Sequence, residues 1–239
     1  MFSLPCFPRE PSRYLDLRDS LSSTVIVTPS HTADVVAEPV PRDGKYMSSD
    51  EVTAFCAGAF LYNVRGLPSE EIEVETPGGV YRISRCSKTD KISIILPKCK
   101  VLYTNKKEII DEIEIFVSAF SYKNYIFKVC ECKNSAFFAD ANLRALLRSS
   151  IEDSIDGVAV YSIEKDEVLV KLLPSDMQSG SLRLYALLAT ATAALSRSSS
   201  KCLTLTYGGG CVCVEIRHDE ILLSDKTLRM FKLSAPDIE

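Results

Sequence analysis

The sequence predicts an α/β protein made of two similar halves, each pairing a buried helix with a strand–Gly-Gly–strand hairpin. Three observations predict it. Short runs with period-two alternation, such as Ile72-Glu73-Val74-Glu75-Thr76, recur along the chain and read as half-buried strands. Two longer apolar runs, Val52 to Val64 and Leu182 to Leu195, have helical length. Finally, Ile72, Val74, Gly78, Gly79, Val80 and Ile83 match Leu203, Leu205, Gly209, Gly210, Cys211 and Val214 at one constant offset.

Taken in order, residues 1–21 are rich in Pro, Arg and Asp and read as irregular. Thr24-Val25-Ile26-Val27 and Ala33-Asp34-Val35-Val36-Ala37 read as strands, and Pro39, Pro41, Asp43 and Gly44 as a turn. Ser48-Ser49-Asp50-Glu51 is a helix-start signal, with Asp50 and Glu51 as first-turn charges. The helix ends at Arg65-Gly66, where glycine suits the residue after the cap. The strands on either side of Pro77-Gly78-Gly79 form a hairpin. Ile92 to Leu96, Lys98 to Leu102, Ile113 to Val117 and Tyr125 to Val129 read as further strands, and Ala141 to Ser149 as a short helix. Val158 to Tyr161 and Val168 to Leu172 read as strands around Lys165-Asp166. Leu182 to Leu195 is apolar nearly all round, which predicts a helix enclosed by protein. Leu203 to Thr206 and Cys211 to Val214 close the second hairpin around Gly208-Gly209-Gly210.

Composition narrows the function. The chain has 239 residues, 46% of them hydrophobic and 25% charged, with a net charge of −4 and a pI near 5.4. That balance offers no basic surface for nucleic acid or an anionic membrane. The N-terminus lacks the basic and apolar regions of a signal peptide, and no apolar run reaches the ~20 residues of a membrane span. The expectation is a soluble, cytoplasmic protein. Its nine cysteines are spread without the pattern of a disulfide scaffold. Cys130-Glu131-Cys132 and Cys211-Val212-Cys213 place two thiols on one strand face, but the spacing matches no usual zinc site, so they read as small core residues and no metal is expected. His31 and His218 both sit in turn sequences, which argues against a Ser-His-Asp triad.

Each central helix has a small-residue stretch at or near its start: Cys56-Ala57-Gly58-Ala59 in the first half and Ser179-Gly180-Ser181 in the second. On these, with Glu71 to Thr76, Gly78-Gly79, Lys133-Asn134-Ser135-Ala136 and Gly157-Val158-Ala159-Val160, the chain resembles the diaminopimelate epimerase family of cofactor-independent amino-acid isomerases over residues 47–235. The resemblance implies an α+β architecture of two pseudo-symmetric halves, 1–111 and 112–239, each a mainly antiparallel sheet wrapped around a central helix, with the ligand cleft between them. It implies Cys56 as a catalytic base and Ser179 in the place of the second catalytic cysteine. It also implies that Ala57, Gly58, Ala59, Asn134, Gly180 and Ser181 line the substrate. In that scheme a helix start presents N–H groups to the substrate carboxylate and favours a thiolate.

The departures are as informative. Ser179 replaces a cysteine, Ala136 a histidine and Ala159 an asparagine, and Leu173 to Gln178 lacks the family's Arg and Glu. With one thiol, a one-base proton shift is the expected chemistry rather than two-base racemisation. The alternative is a catalytically silent member of the fold that serves as a small-molecule-binding or assembly module. No cofactor is expected. The expected partners are a small amino or carboxylic acid and, at most, a second copy of the chain as a homodimer.

Overall fold

The computed structural model describes residues 24–40, 50–86, 89–110, 113–132, 155–164, 167–173, 180–198, 200–207 and 210–225. Among these it has thirteen strands and two helices, a mixed α/β fold that is mostly sheet. The chain forms two compact units, one ending at Ile94 and the other starting at Ile95.

In the first unit, strands β1 (Thr24–Pro29) and β2 (Val35–Val40) pair antiparallel. Helix α1 (Asp50–Asn63) follows, and β3 (Glu71–Thr76) returns parallel to β2. β4 (Gly79–Cys86) closes the hairpin with β3, and β5 (Lys91–Pro97), within which the first unit ends, comes next in the order β1-β2-β3-β4-β5. The alternation in β3 works as read: Ile72, Val74 and Thr76 are buried while Glu71 and Glu73 face water. α1 lies against β2, β3 and β4. It ends where Gly66 takes a left-handed φ of 65° and the Leu67 N–H returns to the Leu61 carbonyl.

The second unit holds β6 (Lys100–Ile110), β7 (Ile113–Tyr122), β8 (Tyr125–Glu131), β9 (Gly157–Glu164), β10 (Glu167–Leu173), helix α2 (Gly180–Arg197), β11 (Cys202–Tyr207), β12 (Gly210–Arg217) and β13 (Glu220–Asp225). Its strand order is β13-β12-β11-β10-β9-β8-β7-β6. β9 and β10 pair antiparallel, and β11 returns parallel to β10 after α2. α2 packs on β7 to β11 and buries Tyr185 to Ala191 almost continuously, the enclosure its all-round apolar sequence predicts.

Both units therefore contain two antiparallel strands, a helix, and a hairpin whose first strand is parallel to the strand before the helix. The hairpins also share their register. Ile72 faces Ile83 as Leu203 faces Val214, and Thr76 faces Gly79 as Tyr207 faces Gly210. Gly79 and Gly210 adopt φ of 137° and 141°, open to glycine and strained for other residues.

Three sequence expectations need correction or lie elsewhere. β6 runs on to Ile110 rather than ending at Leu102. Its Thr104-Asn105-Lys106-Lys107 stretch lacks an apolar alternation, and at the last position of the sheet order those residues are exposed. β13 is missed because Ile221 to Ser224 are all buried, so no alternation marks them. The expected helix Ala141 to Ser149 lies outside the described residues, as do Gly208 and Gly209. No helix among the described residues is long and apolar enough to cross a membrane.

Candidate functional site

The role that the resemblance implies for Cys56 rests on a helix beginning there. The helix begins at Asp50, where its start signal reads, and Cys56 stands in its second turn with its side chain exposed. An α-helix leaves only its first four N–H groups without helical partners, so those of Ala57, Gly58 and Ala59 are committed to the helix itself. Their side-chain positions are equally committed, because all three residues are buried. A Cβ at Gly58 would come within 2.5 Å of Ile83 Cγ2, so this glycine lets α1 approach β4 closely. The pull of a helix dipole on a thiolate fades beyond the first turn, so Cys56 gains little from it.

The open end of α1 belongs to Asp50 and Glu51. Glu51 is 1% exposed, and its Oε1 lies 3.4 Å from the Tyr81 hydroxyl, which donates to it. Asp50 Oδ2 occupies the space that a Cβ at Gly78 would need, 2.0 Å away. Two carboxylates thus complement the dipole at this start and oppose a second anion there.

The start of α2 has the opposite character. Gly180 and Ser181 open the helix as read, its first turn carries no acid, and that turn includes Arg183. Ser179, the residue before it, lies outside the described residues. In the second turn, Tyr185 stacks at a tilt on Tyr122 and Tyr125, with ring centroids 4.9 and 5.7 Å apart. The Lys123 ammonium from the β7–β8 turn lies 5.5 Å from the Tyr185 ring centroid. Among the described residues, the first turn of α2 therefore carries no acid, and an ammonium lies over an aromatic ring of its second turn. Sequence reading found Gly180 and Ser181 but not Lys123. The only signal for Lys123 was its place in the turn between two strands.

Asn134 and Ala136 lie outside the described residues. Ala159 is fully buried on β9, and His31 and His218 are exposed turn residues. Among the described residues, no group of three or more His, Cys, Asp or Glu side chains is placed to hold a metal. Cys130 and Cys132 sit in a core cluster with Ile115, Val117, Val158, Val160 and Leu173, while the Cys213 Sγ lies 3.7 Å from the Thr204 hydroxyl.

Burial, with the Glu108 charge adding to it, pushes the Cys130 thiol up to about 12. Burial does the same to Cys99, against a smaller opposing hydrogen bond with Thr192. A thiol whose folded value is raised contributes stability that is complete below its ordinary value of 9.0 and is lost as pH rises through about 12. Denaturation midpoints should accordingly fall across that window, and Cys130→Ala should flatten the fall. An unchanged slope would contradict the assignment. Under native conditions a thiol reagent should label Cys56, Cys86 and Cys202, which are exposed, well before Cys99 and Cys130.

No protein-family model matches the sequence, and no curated protein matches it. Solved structures do. A PhzC/PhzF phenazine biosynthesis protein from Clostridium difficile superposes with a TM-score of 0.58 at 10% identity, over 85% of this chain and 79% of that one. A PhzF-family phenazine biosynthesis protein from Enterococcus faecalis gives 0.57 at 12% identity, over 85% and 78%. One from Bacillus anthracis gives 0.50 at 12% identity, over 85% and 81%. The fold is that of the PhzF proteins. They share the diaminopimelate epimerase-like fold, so the resemblance read over residues 47–235 holds at the coarse level of a mixed, mostly-sheet epimerase-like fold. At such identities the likeness concerns the PhzF-like fold alone.

Proposed function

We propose that this chain is an isomerase-like protein of the epimerase-type fold that takes a small amino or carboxylic acid. The reading treats its two ββαββ segments as duplicated halves. The carboxylate of the ligand is assigned to the start of α2, at Ser179, Gly180 and Ser181, with Asn134 as a further contact. The observation that carries this is the contrast between the helix starts: α1 opens on Asp50 and Glu51, α2 on Gly180 and Ser181 without an acid. An anion is favoured where helical N–H groups face it without a competing carboxylate.

Cys56 is the proposed base, and the chemistry is a one-base proton shift. Two-base racemisation needs an acid on the opposite face, and a serine hydroxyl at Ser179 is too weak an acid to replace a thiol. A second reading, a binding or assembly module without turnover, is favoured by the place of Cys56 beyond the first turn of α1.

Exchange of α-protons for deuterium in heavy water, monitored over a panel of amino and carboxylic acids, separates these. Wild type should exchange at least one acid without racemising diaminopimelate. Cys56→Ala should lower the rate by about 10²–10⁴-fold, the usual contribution of a positioned proton-transfer group. Exchange that survives Cys56→Ala removes the base assignment. Saturable binding of an acid with no exchange supports the module instead.

A further inference from the structure

We propose that the buried Lys128–Glu108 ion pair is a register lock, holding strand β6 against a two-residue slide along β7. This does not depend on the functional reading above.

β6 does not keep one register along β7. Val101 faces Phe120, Tyr103 faces Ala119, and Lys106 faces Val117, with an irregularity at each step. Each step adds one residue to β6, so beyond Asn105 the strand is displaced by two residues from the register in which it starts. Asn105 sits at this displacement with a left-handed φ of 53°. Its N–H donates to the Ser118 hydroxyl, and its side-chain oxygen accepts from Arg197 in the last turn of α2. Arg197 also pairs with Glu131 on β8.

A slide of one residue would turn the buried side of a strand outward and is excluded by the hydrophobic effect. A slide of two residues preserves every side chain's face, so the apolar pattern does not oppose it. Here such a slide would also remove both irregularities, continuing the Val101–Phe120 register as far as Ile109 and leaving Ile110 in the connection. The hairpin connection between Ile110 and Ile113 favours the observed register, and the buried charges act on the same choice.

Lys128 is 1% exposed on β8, and its Nζ lies 3.3 Å from both carboxylate oxygens of Glu108, itself 15% exposed. Glu108 faces Ile115. After the two-residue slide, Lys106 would face Ile115 in its place and Glu108 would move by about 6.8 Å. The carboxylate beside a buried ammonium would be replaced by a second ammonium. Lys106 already lies beside Glu108, at 3.8 Å, and over the Tyr103 ring, so the Lys106–Glu108 order sets the sign of the penalty. A single buried polar group that fixes register is the best-attested use of such pairs.

The decisive variant exchanges the charges: Lys106→Glu together with Glu108→Lys. In it the irregularity-free register places a carboxylate beside Lys128. Cross-strand proton contacts measured by NMR should show position 108 opposite Ile115 in wild type and position 106 opposite Ile115 in the variant, a shift in register ratio of at least about tenfold. Position 108 still opposite Ile115 in the folded variant overturns the proposal. Should the exchange variant fail to fold, Lys128→Met decides. It should add contacts placing 106 opposite 115 beside the native set, while Lys128→Arg retains the native set alone. The native set alone in Lys128→Met also overturns the lock.

Discussion

Replacing Glu108 with alanine is expected to cost about 3–5 kcal/mol of folding stability, because it removes a carboxylate paired with a buried ammonium. Lys128 lies on the second unit's core face, beside Cys130 and opposite Ala119 and Val158. There the ammonium is 1% exposed, so water does not take the place of the Glu108 carboxylate. Lys128→Met should cost far less, within about 1.5 kcal/mol, because an apolar side chain of similar length fills the same space. The double variant Glu108→Ala with Lys128→Met should recover most of the loss. Chemical denaturation of all four proteins measures the coupling. A Glu108→Ala cost below about 1 kcal/mol would mean that the pair behaves as an exposed one.

Gly58→Ala should destabilise the first unit by about 1–3 kcal/mol, although alanine is the better helix former by ~1 kcal/mol. The added methyl would meet Ile83 Cγ2 at 2.5 Å and its Cβ and Cγ1 at 2.9 Å, and a Cβ is not a flexible chain end that can swing aside. Ile83 is fully buried on β4, so relief requires α1 to lift from the sheet. Ile83→Ala made together with Gly58→Ala should show coupling of opposite sign to the single losses, because the new methyl then enters the space that Ile83 vacates. A neutral or stabilising Gly58→Ala in the same denaturation assay would show that the helix is not held at this distance.

These two sites differ in how far they could be read from residue order. Gly58 was recognised as a small residue on a helix but assigned to substrate approach. Its neighbour Ile83 is 25 positions away, and only the packing of α1 on β4 brings the two together. Lys128 was read as an ordinary strand residue. Alternation places it on one face but does not say whether that face is covered, and burial is what makes its charge consequential. The β3–β4 and β11–β12 hairpins and their correspondence were legible, because Pro77-Gly78-Gly79 and Gly208-Gly209-Gly210 interrupt strong alternation. Helix α2 was legible within two residues at each end, since few contexts other than enclosure suit an all-round apolar run.

The sequence by itself determined the fold class, the recurrence of a helix followed by a Gly-containing hairpin, and the opening of α2 at Gly180 and Ser181. Local pattern suffices for these, because strand alternation, helix periodicity and glycine conformations are short-range properties. The start of α1 at Asp50 and Glu51 was also legible from its start signal, and it removes the open N–H groups that the resemblance placed at Cys56. Tertiary structure decided what encloses that start. It also decided which charges are buried, and the offset register of β6. Those outcomes depend on partners distant in the chain. Tyr81 and Gly78 enclose the α1 start, and Glu108 meets Lys128 across β7. Contact between such residues follows from the packing of sheets and helices, which no window of neighbouring residues contains.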